Sequence, residues 1–302
     1  MNVLRKGIDV SSHQKNVDFS KVKNAGYTFV MIRVGFRGYS NGNINADKFF
    51  MANIKGASRE GLDIGCYFFS TAINEEEARE EAKYVLERIK GYKVSYPIVY
   101  DFEGYKNPKY RTYGIKKAQR TANCKAFNEV IKNAGYKTML YGSQGNIRTT
   151  YDLDVLQEQI WCAKYPGGYK VVTDNDKYFP NIGKYTERVA MWQYTSIGKV
   201  DGISGNVDLS NQYKEFDNSD VKYENPYSEP KGIVKYNPLT VLIPKEDVKW
   251  VQWELVDAGY KLSIDGRFGK ITLAAVKDYQ AKHGLVVDGI VGPKTKESMK
   301  TV

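Results

Sequence analysis

Short apolar runs recur along the first two thirds of the chain. They fall at 8–11, 27–34, 64–70, 97–103, 138–141, 159–165, 189–195 and 207–209. They are rich in β-branched and aromatic residues and nearly continuous in hydrophobicity, the pattern of strands buried on both faces. Between the earlier runs, segments 44–61, 74–91 and 115–135 space their apolar residues by three and four, which predicts helices. The second of these opens with Asn74 followed by Glu77, a capping signal, and the last two end at Gly91 and Gly135. Strand and helix in alternation predict a parallel sheet. The alternation fades after about residue 145. Eight strands with fewer helices predict an irregular TIM-like (β/α) barrel of the α/β class. The competing open, doubly wound sheet usually carries a Gly-rich phosphate loop after its first strand, and GIDVSSHQ is not one.

The pattern changes near residue 217. DNSDVKYENPYSEPKGIVKYNP is polar and holds three prolines, so 217–244 reads as a linker. Residues 245–302 form a compact piece with an internal echo. Asp265-Gly266-Arg267-Phe268-Gly269 with Thr272 is matched by Asp288-Gly289-Ile290-Val291-Gly292 with Thr295. Each DG-x-x-G turn precedes a helical run, which predicts a small three-helix domain.

Composition narrows the function classes. The hydrophobic fraction of 42% and charged fraction of 26% are those of a globular protein. Net charge is +10, of which residues 221–302 carry +3, and no block of six like charges occurs. This favours anionic surfaces in general, and no nucleic-acid motif is present, so a nucleic-acid partner is not expected. The 24 tyrosines suit sugar rings and bases alike. The three cysteines, Cys66, Cys124 and Cys162, are expected as buried free thiols. Two histidines, His13 and His283, are too few for a zinc hydrolase, and neither supports a nucleophile triad. No apolar stretch reaches membrane-spanning or signal-peptide length, so the expectation is a protein made in the cytoplasm, with no membrane insertion.

The chemistry concentrates at the end of the fourth run, YPIVYDFE. Asp101 and Glu103 stand two apart and so share one face of a strand. In a parallel barrel the C-terminal ends of the strands form the active face. Asp9 in the first run and Asp208 in the eighth would meet them there, since those strands are neighbours in a closed barrel. Alone, Asp9 or Asp208 also reads as a cap or loop acid. Four carboxyls together raise at least one pKa, and a protonated acid beside ionised ones suits glycoside cleavage. Clustered carboxylates also bind Mg²⁺ or Ca²⁺, but no loop with calcium-ligand spacing is present, and no metal or other cofactor is called for.

The ordered motifs GIDVSSHQ, YTFVMIRVG, GCYFFS, YPIVYDFE, IWCAKY and MWQYTSIGKVDGISGNVDLS resemble those of family 25 glycoside hydrolases, over about 1–216. The resemblance implies a barrel with eight strands and fewer helices. It implies an N-acetylmuramidase that cleaves the β-1,4 bond between N-acetylmuramic acid and N-acetylglucosamine in peptidoglycan. It assigns Glu103 as general acid, Asp101 as its partner, and Asp9 and Asp208 as the rest of the acidic floor. Tyr67, Tyr141, Tyr165, Trp192 and Gln193 would line the sugar groove, with Arg33 either beside them or balancing charge near the acids. The family often carries His after the Tyr of the third strand, and Phe68 stands here, which would alter one subsite. Spacing along the strand decides neither retention nor inversion, and the resemblance leans toward the substrate's own acetamido group as nucleophile, oriented by Asp101. The tail resembles the three-helix peptidoglycan-binding domain of wall hydrolases. There Trp253 is expected in the core, and Asp265, Arg267 and Asp288 near any wall contact. Together these imply an endolysin-like enzyme that reaches the bacterial wall after release from the cytoplasm, with peptidoglycan as partner; a monomer is assumed. A barrel that only binds wall polymer is the alternative, which loss of Glu103 would have favoured.

Overall fold

The computed structural model describes residues 2–103, 106–168, 170–216 and 225–300. It divides into two compact units, one holding most of the chain up to 222 and one formed mainly by 223–302.

In the first unit, β1 (Arg5–Val10), α1 (Phe19–Asn24) and β2 (Phe29–Arg37) open the chain. A short β3 (Ile44–Ala46) folds back antiparallel on the end of β2 and is followed by α2 (Phe50–Glu60). The expected helix 44–61 therefore begins six residues late, its first turn replaced by a hairpin strand. Then come β4 (Asp63–Ser70), α3 (Glu75–Ile89), β5 (Ile98–Phe102), α4 (Lys117–Asn133), β6 (Thr138–Ser143) and the single turn α5 (Ile147–Thr150). β7 (Ile160–Ala163), β8 (Val189–Gly198) and β9 (Val207–Gln212) complete the sheet. The cap of α3 is as the sequence suggests: Asn74 Oδ1 accepts from the Glu77 amide at 2.9 Å, and the Glu77 carboxylate accepts from the Ile73 amide at 3.0 Å.

The strand order is β1-β9-β8-β7-β6-β5-β4-β2, and β1 pairs with β2 to close the barrel. Closure by eight strands agrees with the sequence. The direction of the last one does not: β9 runs antiparallel to both β8 and β1. Only residues 199–206 join β8 to β9, too short a connection for the crossover that parallel neighbours need. An antiparallel β9 enters at the mouth where β8 leaves, which is why Asp208, near its start, still pairs with Asp9.

Strand alternation divides the barrel interior into two levels. The lower level is apolar, with Phe29, Met31, Tyr96, Val99, Met139 and Met191 in one cluster. Room for it comes from glycine: a Cβ on Gly7 would lie 2.2 Å from the Phe29 ring, and one on Gly65 2.3 Å from Met31 Sδ. The upper level, two residues nearer the mouth on these strands (Met31 to Arg33, Val99 to Asp101, Met139 to Tyr141, Met191 to Gln193), carries the polar groups described below. All three cysteines are buried and free.

The second unit contains α6 (Glu246–Asp257), α7 (Lys270–Lys282) and α8 (Pro293–Lys300), as expected, with β10 (Val234–Lys235) paired to β11 (Ile290–Val291). Val234 belongs to its core, packed with Trp250, Val251 and Tyr279, so part of 217–244 is built into this unit. The twin turns share one device. Gln252 Nε2 donates to Asp265 Oδ1 at 2.8 Å and to the Arg267 carbonyl, while its Oε1 accepts from the Gly266 amide. Gln280 does the same for Asp288, Ile290 and Gly289. Asp265 and Asp288 are thus bound into their own turns and hold the backbone. Trp253, like Trp250, is buried.

Candidate active site

The upper level of the barrel brings all four predicted carboxyls to one mouth. Asp9 and Asp101 are buried, 5% and 7% exposed, and Asp208 is half-buried, while Glu103 stands at the exposed lip. Asp9, Asp101, Glu103 and Asp208 line a single central cavity of about 330 Å³ with Arg33, Tyr67 and Gln193. The cavity continues on both sides. One arm, of about 810 Å³, shares Glu103, Tyr141 and Tyr165 with it. The other, of about 390 Å³, shares Asp9, Asp208 and Tyr67. The result is a groove open enough for a polymer, with the acids at its middle.

The four acids form two coupled pairs. Burial, reinforced by the Asp208 charge, holds the Asp9 carboxyl well above the usual range. Asp208 is also raised by burial, but its hydrogen bond with Asp9 and the nearby His13 oppose the rise. Burial and then the Glu103 charge push Asp101 well up. Burial raises Glu103 too, opposed by its hydrogen bond with Asp101. Each pair therefore holds a proton where a lone carboxyl would have lost it. Asp101 Oδ1 has no hydrogen-bond partner among the described residues, although it lines the central cavity.

This arrangement predicts a pH effect on stability. Unfolded Asp and Glu titrate near ~4, and the folded pairs retain protons above that. The unfolded state then binds fewer protons, so stability present below ~4 is lost as pH rises through the folded values. Asp101→Asn is expected to be more stable than the parent at pH 7, with the difference shrinking toward zero near pH ~3.5 as the parent's carboxyl becomes neutral in both states. Urea unfolding at the two pH values measures it, and a pH-independent difference would contradict a protonated Asp101.

Gln193 is the hub of the mouth. It is 2% exposed; its Nε2 donates to Asp9 Oδ2 at 3.0 Å, and its Oε1 accepts from Tyr141 and Tyr165 hydroxyls at 3.0 and 2.7 Å. It orients two groove tyrosines and an acid. Tyr67 lines the central cavity, edge-on to Trp161 at 6.4 Å. Arg33 lines it too, but its charge is matched by the buried Asp47, with Nε and Nη2 2.9 and 2.8 Å from Oδ2. The strands shift register beside both residues, between Arg33 and Gly35 and between Gln193 and Thr195, and such bulges re-aim side chains next to sites.

Two sequence expectations are corrected. Trp192 does not line the groove: it is fully buried, donates from its indole to the Lys164 carbonyl at 2.8 Å and packs edge-on to Phe179. As the strand neighbour of Gln193 it must point to the other face. Phe68 likewise faces outward, buried against Tyr84, so its difference from the family leaves the groove untouched. Sequence reasoning missed Trp161, which lines the central cavity and donates to Ser210 Oγ at 3.1 Å. It also missed Asp47. Near the mouth, Arg111 grips Glu77 through bonds of 2.7 and 2.9 Å, and Tyr110 stacks on Tyr39 at 3.7 Å.

With this geometry in view, the comparisons are direct. The family model for glycosyl hydrolases family 25 matches residues 8–203. The chain belongs to glycosyl hydrolase family 25. The matched range holds Asp9, Asp101 and Glu103 and stops short of Asp208, which β9 returns to Asp9. A second family model, for a peptidoglycan binding domain, matches 244–299. The autolytic lysozyme of Clostridium acetobutylicum is 28% identical over 98% of this chain and 79% of its own length. The lysozyme of Streptococcus phage Cp-7 is 27% identical over 63% of this chain and half of its own. Among solved structures, the modular autolysin LytC of Streptococcus pneumoniae, in complex with a synthetic peptidoglycan ligand, superposes with a TM-score of 0.58. It is 27% identical over 69% of this chain and 46% of that one. The family 25 chain is a glycoside hydrolase of the lysozyme kind with a peptidoglycan-binding domain. Among the described residues no helix is long and apolar enough to cross a membrane.

Proposed function

We propose that this chain hydrolyses the β-1,4 bond between N-acetylmuramic acid and N-acetylglucosamine in the glycan of the bacterial wall. The observation that carries the reading is the pair of coupled carboxyls at the middle of an open groove. The Asp101–Glu103 pair holds one proton between its two carboxyls, and Glu103, at the lip, delivers it to the departing glycosidic oxygen, which leaves Asp101 ionised. Asp101 lies deeper and has an unpartnered Oδ1 in the central cavity. It accepts the N–H of the substrate's acetamido group, so that the acetamido oxygen attacks the sugar carbon as the bond breaks, and water then opens the ring so formed. Asp9 and Asp208 share a proton beneath the sugar and stabilise the positive charge that develops on it. Tyr67, Tyr141 and Tyr165 flank the sugars, and residues 245–302 hold the enzyme on its immobile substrate, which raises local substrate concentration.

The test is product chemistry. Purified peptidoglycan is digested, reduced with borohydride and analysed by mass spectrometry. Reduced muramic acid ends are expected. Reduced glucosamine ends would make the enzyme a glucosaminidase on the same acids, and release of peptides without new sugar ends would overturn the reading.

A further inference from the structure

Arg33 lines both the central cavity, with the four acids, and the smaller arm, with Asp9 and Asp208. A guanidinium with its charge unmatched there would draw protons from carboxyls that the reaction needs protonated, since an opposite charge nearby favours the ionised form. The chain meets it with Asp47, just ahead of α2, whose side chain is fully buried. Arg33 Nε and Nη2 lie 2.9 and 2.8 Å from Asp47 Oδ2. The same oxygen accepts from the Ser12 amide at 2.9 Å, and Oδ1 accepts from the Phe49 amide at 2.9 Å. Arg33 Nη2 in turn donates to Ser12 Oγ at 2.9 Å. A buried carboxylate is costly unless it is paired and hydrogen-bonded, and Asp47 is both.

These contacts join separate parts of the mouth. β2 supplies Arg33, the turn after β1 supplies Ser12, and the approach to α2 supplies Asp47 and Phe49. That turn also walls the smaller arm: Ser11, His13 and Gln14 line it, and Gln14 Nε2 donates to the Asn206 carbonyl, just before β9, at 3.1 Å. Around Arg33 the acids of the cavity are Asp9 from β1, Asp101 and Glu103 from β5 and Asp208 from β9. The tyrosines are Tyr67, Tyr141 and Tyr165, and Tyr39 is near enough to feel Arg33 and both acids of β5. The Arg33 charge works against the rise of the Asp101 carboxyl.

We propose that Asp47 is a positioning residue for the reaction: it holds the Arg33 guanidinium in one place at the mouth, with its charge matched, and pins the Ser12 turn to the same point. Asp47, itself sealed from solvent, acts through Arg33. The proposal rests on the reading of the Asp101–Glu103 pair as the holder of the transferred proton.

The test is the pH dependence of kcat/KM for the full chain on peptidoglycan strands, whose alkaline limb reports loss of the pair's proton in the free enzyme. Asp47→Asn removes the matching charge, so Arg33 pulls harder on that pair. The limb is expected to move to lower pH by about one unit, the size of one nearby charge. Asp47→Ser, which puts a good capping residue ahead of a helix, is a second route to the same shift should the amide variant not fold. Arg33→Met is expected to move the limb the other way, and adding Asp47→Asn to it is expected to change the limb little. Arg33→Lys keeps a cation against Asp47 and is expected to keep the limb near the parent's. An Asp47 that only supports the fold would lower melting and rate and leave the limb in place, which overturns the proposal. So does a limb that Asp47→Asn lowers as far in the Arg33→Met background, because Asp47 would then act on the acids directly. A parent with no alkaline limb, or with no muramic acid ends among its products, overturns the reading on which the proposal rests.

Discussion

Glu103→Gln is expected to lower wall hydrolysis by about 10²- to 10⁴-fold, the contribution of a positioned general acid. The amide keeps the shape of the side chain at the lip but has no proton to give to a leaving sugar oxygen. It also removes the charge that helps hold the proton on Asp101, so the Asp101 pKa is expected to fall. Binding to intact walls is expected to persist, because the domain matched to peptidoglycan binding is formed by other residues. Turbidity loss of wall suspensions and a pull-down on the same walls separate the two effects. Lysis at the parent's rate would remove Glu103 from the mechanism, and loss of binding along with lysis would point to misfolding.

Trp192→Ala is expected to have the largest effect on stability. The side chain is fully buried, its indole N–H is satisfied by the Lys164 carbonyl, and Phe179 and Tyr194 pack around it. Truncating a buried Trp costs about 3–5 kcal/mol, on the order of 10 °C in the melting temperature of a domain this size. A groove residue would behave otherwise: Tyr165→Phe is expected to raise KM or lower kcat by removing the bond to Gln193, with little change in melting. If Trp192→Ala melted with the parent and lost only substrate affinity, the burial of Trp192 would be in error.

These contrasts show what the sequence carried and what it did not. The eight strands were legible because each is an unbroken apolar run, and Asp101 and Glu103 stood out because acids rarely end such a run. The antiparallel course of β9 was not signalled by hydrophobic pattern, which is the same in either direction. It was present in the connection instead, since residues 199–206 contain DG and SG turn signals and are too few for a crossover. Trp192 and Gln193 are adjacent in one strand, so alternation alone forbade both from facing one groove. Asp47 left no such trace. Its partner Arg33 lies on β2, and its own stretch, NADKFF, carries helical spacing. Glutamine as a hub was also hidden, since the three groups it joins, Asp9, Tyr141 and Tyr165, are brought together only by closure of the barrel.

The antiparallel pairing of β9 with β1 has one more consequence. It sets Arg5 opposite Gln212, and the Leu4 amide donates to the Gln212 carbonyl at 2.8 Å. The two ends of the barrel therefore lie side by side, about 5 Å apart at Cα as paired strands are. A barrel with adjoining ends is close to circular: a few residues of glycine and serine would join them, and new ends could be opened in an exposed loop remote from the acids. Such a permuted enzyme would keep every contact at the mouth. For the same reason a further module could be fused at either end of the barrel and leave from one point on its surface, which makes this hydrolase a ready part for exchange between proteins.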